Sequence, residues 1–323
     1  MECWSVGVTE LKCAFHHSNT PTLHSSTTPI LHLVTMLGFF LFAMLFVGLL
    51  TVVVRLTGLG VRQELPDRNE LALTGLFVAL VLLAWWFLTR GERFEDRLVN
   101  VTILPSPLEM LKAFAPLHLD QALVRNALTS IERIAFGFGL AVIVAVPLGV
   151  YMATFPPIAA FFHPVTLVGS YVPTVVFIPL SIAWFGATEI QKIAFLFIVY
   201  FVALLPLVIK TVADVPAAYL DVAVTKGASQ WQLVRHVLFP VAKADIWDHL
   251  RGAYGVGWTW IILAEVWANA ESGLGYLLEI SYRRGRMDRY FAVVVVIVAI
   301  AVAFDQLWRM GSRLLFPYRY LAC

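Results

Sequence analysis

Long uncharged apolar runs alternate with short charged segments along the chain. Met36–Val54, Leu71–Thr89, Ile134–Thr188 and Ile193–Ile209 contain no Asp, Glu, Lys or Arg. Gly252–Ala270 contains one acid, Glu265, and Tyr290–Phe304 contains none, with its apolar pattern continuing through Trp308 and Met310. A helix needs about 20 apolar residues to cross a bilayer core, so these runs predict membrane-spanning helices. Ile134–Thr188 is too long for one span and is punctuated by Phe155-Pro156-Pro157 and His163-Pro164. It predicts two helices, over about 129–152 and 163–186, joined by a tight turn. Trp85 and Trp86 late in the second span, and Trp258 and Trp260 early in the sixth, suit membrane interfaces. Pro147, Pro173, Pro179 and Pro206 lie inside apolar runs; neighbouring helices in a membrane re-satisfy the backbone groups that such prolines free.

Three polar islands separate the runs. In Arg90–Ser130, Ser106-Pro107 reads as an N-cap and first-turn proline opening a short amphipathic helix through about Phe114. In Thr211–Arg251, a helix opens at Pro216-Ala217-Ala218, with Asp221 in its early turns. Tyr219, Leu220, Ala223 and Val224 share one face, and Lys226-Gly227 ends the helix. A second helix, about 229–238, is expected to start at Ser229 and stop before Pro240. In Glu271–Arg289, Ser272-Gly273-Leu274-Gly275-Tyr276 predicts a turn, followed by Arg283, Arg284, Arg286 and Arg289.

Composition agrees with a membrane class. Of 323 residues, 60% are hydrophobic and 14% charged, against roughly 25% charged in soluble domains. This excludes a soluble enzyme domain, a disordered chain and a nucleic-acid binder, and a net charge of +2 argues for no polyanionic partner. Cys3, Cys13 and Cys323 make no metal-like spacing and the eight His are scattered, so no metal site is expected. Residues 1–35 are Ser/Thr/His/Pro-rich without a basic leader and are expected to be a disordered extension, followed by an extra hydrophobic helix over 36–57.

The second island carries a resemblance. Asp221-Val222-Ala223, three residues, Gly227, nine residues, then Val237-Leu238-Phe239-Pro240 is similar to the EAA loop of ABC importer permeases, Glu-Ala-Ala, three residues, Gly, nine residues, Ile-x-Leu-Pro. Ala223, Gly227 and Pro240 match; Asp221, Val222, Val237 and Phe239 are conservative departures. Further stretches resemble the permeases of nitrate, sulfonate, taurine and bicarbonate importers: Ile103-Leu104-Pro105-Ser106-Pro107, Leu128-Thr129-Ser130-Ile131-Glu132-Arg133, Tyr171-Val172-Pro173, Gly227-Ala228-Ser229-Gln230-Trp231, Leu263-Ala264-Glu265 and Ser272-Gly273-Leu274-Gly275-Tyr276. The resemblance covers about residues 71–316.

It implies an all-α, six-helix type I importer permease core, to which the extra N-terminal helix expected from hydropathy is added. The core would comprise a first span and outer segment (71–124), a transmembrane domain (125–312) with a coupling loop at 214–242, and a cytoplasmic tail (313–323). It also implies a multi-pass protein of the bacterial cytoplasmic (inner) membrane that carries a small anion. Its implied partners are a cytoplasmic ABC ATPase dimer, a second permease subunit (a homodimer) and an extracytoplasmic solute-binding protein. Coupling to the ATPase falls on Asp221, Ala223, Gly227, Ala228 and Pro240: Asp221 would offer a carboxylate, and Gly227 would set the angle between the arms of a short helix that transmits ATPase closure as a rigid-body movement. Tyr171, Pro173 and Glu265 are candidates for the translocation path. The chain has no GxxxxGK[ST] loop, so no cofactor is expected in it and ATP belongs to the partner.

A cytoplasmic coupling loop places the 90–130 and 271–289 islands outside. Apart from Lys12, the 23 Lys and Arg residues divide evenly between the two sides, so charge counting leaves the orientation to the resemblance. Glu265, the acid well inside a span, is expected either to line the path or to brace its helix through an outer Arg. The alternative function is a secondary transporter or channel independent of an ATPase, which would show two related halves or several buried charges.

Overall fold

The computed structural model describes residues 67–91, 97 and 99–319, and Met44 and Gly48 as helical positions. The expected extension 1–35 and nearly all of the expected helix 36–57 lie outside the described residues. The described chain is helical and contains no strand among these residues. Two compact units are distinguished, Met1–Val78 and Ala79–Cys323. In the first, the described residues are helical and expose Leu71 and Phe77; the second carries everything that follows.

Helix α1 (Asp67–Leu88) ends where Thr89 turns its hydroxyl back to the Trp85 carbonyl at 2.8 Å. Helix α2 (Pro107–Gln121) opens with a complete capping box. The Ser106 N–H donates to Glu109 at 2.8 Å, and Ser106 Oγ accepts from the Glu109 N–H. It runs seven residues beyond the expected end at Phe114, passing Pro116, because the buried stripe Met110, Ala113 and Leu117 holds it against the core.

Helices α3 (Leu123–Thr154) and α6 (Glu189–Ala213) form the central pair. A methyl placed on Gly137 would stand 2.6 Å from Leu196 Cβ, and one on Gly149 2.7 Å from Val208 Cγ1. Both partners advance in the same direction along the chain, so the two helices run parallel and touch backbone to side chain at two glycines. Small residues allow such close approach where lipid supplies no hydrophobic drive.

Parallel neighbours need a return path. It is made by α4 (Pro156–Tyr171), a 3₁₀ turn at Thr174–Val176 and α5 (Phe177–Phe185), bent by 95° at the break. Here the structure departs from the expected helix 163–186. Pro156 and Pro157 start α4 rather than interrupt it, because a helix's first turn has no use for their missing N–H groups. The break falls instead at Val172, held extended (φ −80°, ψ 121°) ahead of Pro173.

Helices α7 (Ala217–Thr225) and α8 (Gln230–Leu233) follow. A π-helical turn (Val234–Leu238) then leads into α9 (Phe239–Trp267), after which come α10 (Leu274–Arg283) and α11 (Met287–Leu315). Residues 69–88, 123–154, 189–213 and 287–315 are long and apolar enough to cross a bilayer, and the bent pair makes a fifth if counted as one span. Helix α9 is not in that set: Lys243, Asp245, Asp248 and Arg251 occupy its first half, so only its second half is as apolar as the expected sixth span.

The core closes around Phe138. Its ring meets Tyr200 of α6 at 5.1 Å, Tyr254 of α9 at 5.2 Å and Trp308 of α11 at 5.8 Å, all edge-on. Each such pair adds about 0.5–1.5 kcal/mol to simple burial. Gly257 leaves room for the Tyr200 hydroxyl, which a side chain there would strike.

Candidate functional site

The segment 214–242 is built from end signals. Pro216 starts α7, and Gly227 (φ +80°) closes it in the left-handed region. The Ala228 N–H donates to the Ala223 carbonyl at 3.1 Å and the Gly227 N–H to the Val224 carbonyl at 2.8 Å. This pair of bonds is a Schellman closure, and it joins three expected residues, Ala223, Gly227 and Ala228, in one backbone motif. Ser229 caps the next turn reciprocally with Gln232, at 2.8 Å and 3.4 Å. The two short arms are thereby fixed without help from the core.

Their outer faces are bare. Helix α7 buries no residue, Asp221 is exposed, and Tyr219 and Val222 are each more than half exposed. Apolar side chains are thus left open on the knob. The inner side is anchored: Trp231 stacks on Tyr151 at 6.3 Å and 15°. A cavity of about 540 Å³ lies between the arms and the end of α3, lined by Thr154, Phe155, Val212, Leu220, Leu233 and Leu238.

Pro240 plays a different part from the one expected. The second arm does not stop before it; Val234–Leu238 widens into a π turn and continues as α9, with Pro240 in the first turn. The changed hydrogen-bond spacing of a π turn absorbs the missing N–H at the hand-over.

The three residues proposed for a path fall on two elements. Tyr171, 79% exposed, and Pro173 flank the bend after α4. Glu265 belongs to a buried network. Among the described residues no hydrogen bond, ion pair or ring contact joins them.

Glu265 is fully buried near the end of α9. Its carboxylate accepts from Arg133 Nη1, Ser130 Oγ and the Gly275 N–H, each at 2.7 Å. Arg133, 2% exposed, also donates to Glu189 at 2.5 and 2.6 Å, to the Ser272 carbonyl at 2.8 Å and to Ser272 Oγ at 3.1 Å. Asn126 Oδ1 and Ser130 Oγ take the N–H groups of Gly273 and Leu274 at 2.7 and 2.9 Å. The N–H groups opening α10 are therefore satisfied by side chains of α3 and α9, with a carboxylate at the positive end of the helix dipole. Gly273 (φ +116°) and Gly275 leave the space that the Glu265 carboxylate fills.

Sequence reasoning meets Ser130 and Arg133 within a resembling stretch and passes over Asn126 and Glu189. Asn126, Ser130 and Arg133 stand at i, i+4 and i+7 on one face, but Arg125, Thr129 and Glu132 in the same turns mask the stripe.

Two comparisons decide the family. Residues 145–313 match the model of the binding-protein-dependent transport system inner membrane component. A putative ABC transporter permease protein of Methanocaldococcus jannaschii is 32% identical over 260 residues, covering 78% of this chain and 94% of the relative. The chain belongs to this permease family. Other members similar to it are the taurine transport system permease of Escherichia coli, 27% identical over 78% of this chain and 92% of its own, and a putative aliphatic sulfonates permease of Bacillus subtilis, 26% identical over 80% and 92%. Permeases named for nitrate and bicarbonate also match. The chain is thus a multi-pass transport permease, and the apolar spans, the bare knob and the buried Arg133–Glu265 network are parts of a permease subunit.

Proposed function

We propose that this permease is the membrane subunit of an ATP-driven importer for a small anion of the sulfonate, nitrate or bicarbonate class. It accepts solute from an extracytoplasmic binding protein and releases it in the cytoplasm. It works as a homodimer in the cytoplasmic membrane, and ATP is bound and hydrolysed on a separate ATPase pair. The observation that carries this reading is the knob 217–233: rigidly closed by Gly227 and Ser229, tied to α3 through Trp231, and apolar on its free face. Asp221, exposed among Tyr219 and Val222, supplies a carboxylate within that face. The names of the taurine, sulfonate, nitrate and bicarbonate relatives support the anion class; what those solutes share is compact negative charge.

In this reading Glu265 braces rather than conducts. A bare carboxylate is a poor ligand for an anion, and this one is already saturated by Arg133, Ser130 and Gly275. The test is purification of the tagged full chain from cells that co-express a candidate ATPase and binding protein, followed by uptake in vesicles. Uptake of taurine, an alkanesulfonate, nitrate or bicarbonate that requires both ATP and the binding protein is expected. Uptake that persists without an ATPase would establish a secondary transporter or channel instead.

A further inference from the structure

The charges that set the first half of α9 apart are partnered by the other end of the chain. Arg319, in the 3₁₀ turn Pro317–Arg319 after α11, reaches across to α9. It forms ion pairs with Asp248, at 2.7 Å, and with Asp245, and donates to the Ala244 carbonyl at 3.3 Å. Phe316, 5% exposed, packs edge-on against Trp247 at 6.1 Å. The Lys243 ammonium stands 5.7 Å from the centre of the Phe316 ring. Trp247 in turn donates to the Trp308 carbonyl at 3.2 Å, with the two indoles 4.6 Å apart. One turn further along α9, Arg251 pairs with Asp305 of α11 at 2.6 Å.

We infer that Phe316–Arg319 is a strap that binds the stem of α9 to α11, making Arg319 a positioning residue for energy coupling. The inference rests on the importer reading above. The stem begins at Phe239, directly after the knob. A push delivered to the knob enters the stem of α9, which Trp247–Trp308 and Arg251–Asp305 also join to α11 and which the strap holds nearer its knob end, at Lys243, Asp245 and Asp248. With the strap closed, the stem and α11 move as one body, so the displacement reaches the span 287–315 together with α9. Lattices of opposite charge at a partly exposed site add little to global stability. What they fix here is register between two helices, and rigid-body transitions depend on such registers.

The experiment uses the full chain with its ATPase and binding protein in proteoliposomes, and reads solute carried per ATP hydrolysed. Arg319→Ala should keep the ATPase bound and hydrolysing while solute per ATP falls about fivefold, within the usual range of coupling between sites. Arg319→Lys, which restores the charge without the two-pronged fork, should regain part of the loss. The isosteric double variant Asp245→Asn with Asp248→Asn should reproduce the Ala phenotype, which serves if Arg319→Ala fails to fold. An unchanged ratio in these variants overturns the strap's role. So does a fall in transport that merely follows loss of bound ATPase. A wild-type chain that binds no ATPase overturns the importer reading itself, and the strap's role with it.

Discussion

Removing the Glu265 carboxylate tests whether the Arg133–Glu265 network is a brace. Both members of the Arg133–Glu265 pair are buried, at 2% and 0% side-chain exposure, 2.7 Å apart. Glu265→Ala strands one Arg133 N–H, the Ser130 hydroxyl and the Gly275 N–H in a dry interior. Taking one partner from a buried ion pair costs about 3–5 kcal/mol. Glu265→Gln keeps the volume and an acceptor oxygen, and leaves Arg133 its bond to Glu189, so about 1–3 kcal/mol is expected for it. Arg133→Met with Glu265→Leu removes both charges together and should cost less than Glu265→Ala alone, because no buried charge of this pair is left unmatched. Glu189, 58% exposed, can turn to water. Thermal unfolding of the purified chain in detergent, followed by tryptophan fluorescence, gives the order of the variants. The cycle of Arg133→Met and Glu265→Gln should show coupling of at least about 1 kcal/mol. Additive effects in that cycle would refute the brace. So would Glu265→Gln with native stability and assembly but no transport, which would move this carboxylate into the path.

Gly227→Ala should lower stability by about 1 kcal/mol through left-handed backbone strain alone, since no atom lies within 4 Å of the added methyl; Gly227→Asn should lose less, and equal melting of the two would refute it. Gly137→Ala should destabilise by about 1–3 kcal/mol, because its methyl meets Leu196 Cβ at 2.6 Å and the Ile193 carbonyl at 3.2 Å, whereas Gly139→Ala, with open space, serves as the silent control in the same melts. Outside the membrane, hydrogen bonding from Arg97 holds the Glu109 carboxyl below its ordinary value of 4.5. A depressed carboxyl contributes stability above its unfolded value and loses it as pH falls through the folded one, so Arg97→Gln should flatten the acid limb of a pH–stability curve. The effect should be small, since Glu109 is about a third exposed.

The sequence shows the apolar architecture because hydropathy is a local property: α1, α3, α6 and α11 each contain an uncharged apolar run of at least 15 residues. It shows the Gly227 closure and the Ser106 and Ser229 caps for the same reason, each being settled within six residues. What it conceals depends on partners distant in sequence. Prolines 156 and 157 look like a break until the chain's direction makes them a start. Pro240 looks like a stop until a π turn precedes it. Arg133 looks like a rim cation among other rim cations, and only the fold brings Glu265, 132 residues away, to its guanidinium. Arg319 likewise reads as one more basic residue of a tail until α9 supplies two carboxylates.

The stacking of Trp231 on Tyr151 has a mechanical meaning. A hairpin held only by its two stems at α6 and α9 can swing about the line through them, and a push on its face is spent in that swing. The contact with α3 is a third attachment. In the importer proposed above, that third attachment resists the swing, so that more of a push on α7 is passed on to the helices at its base.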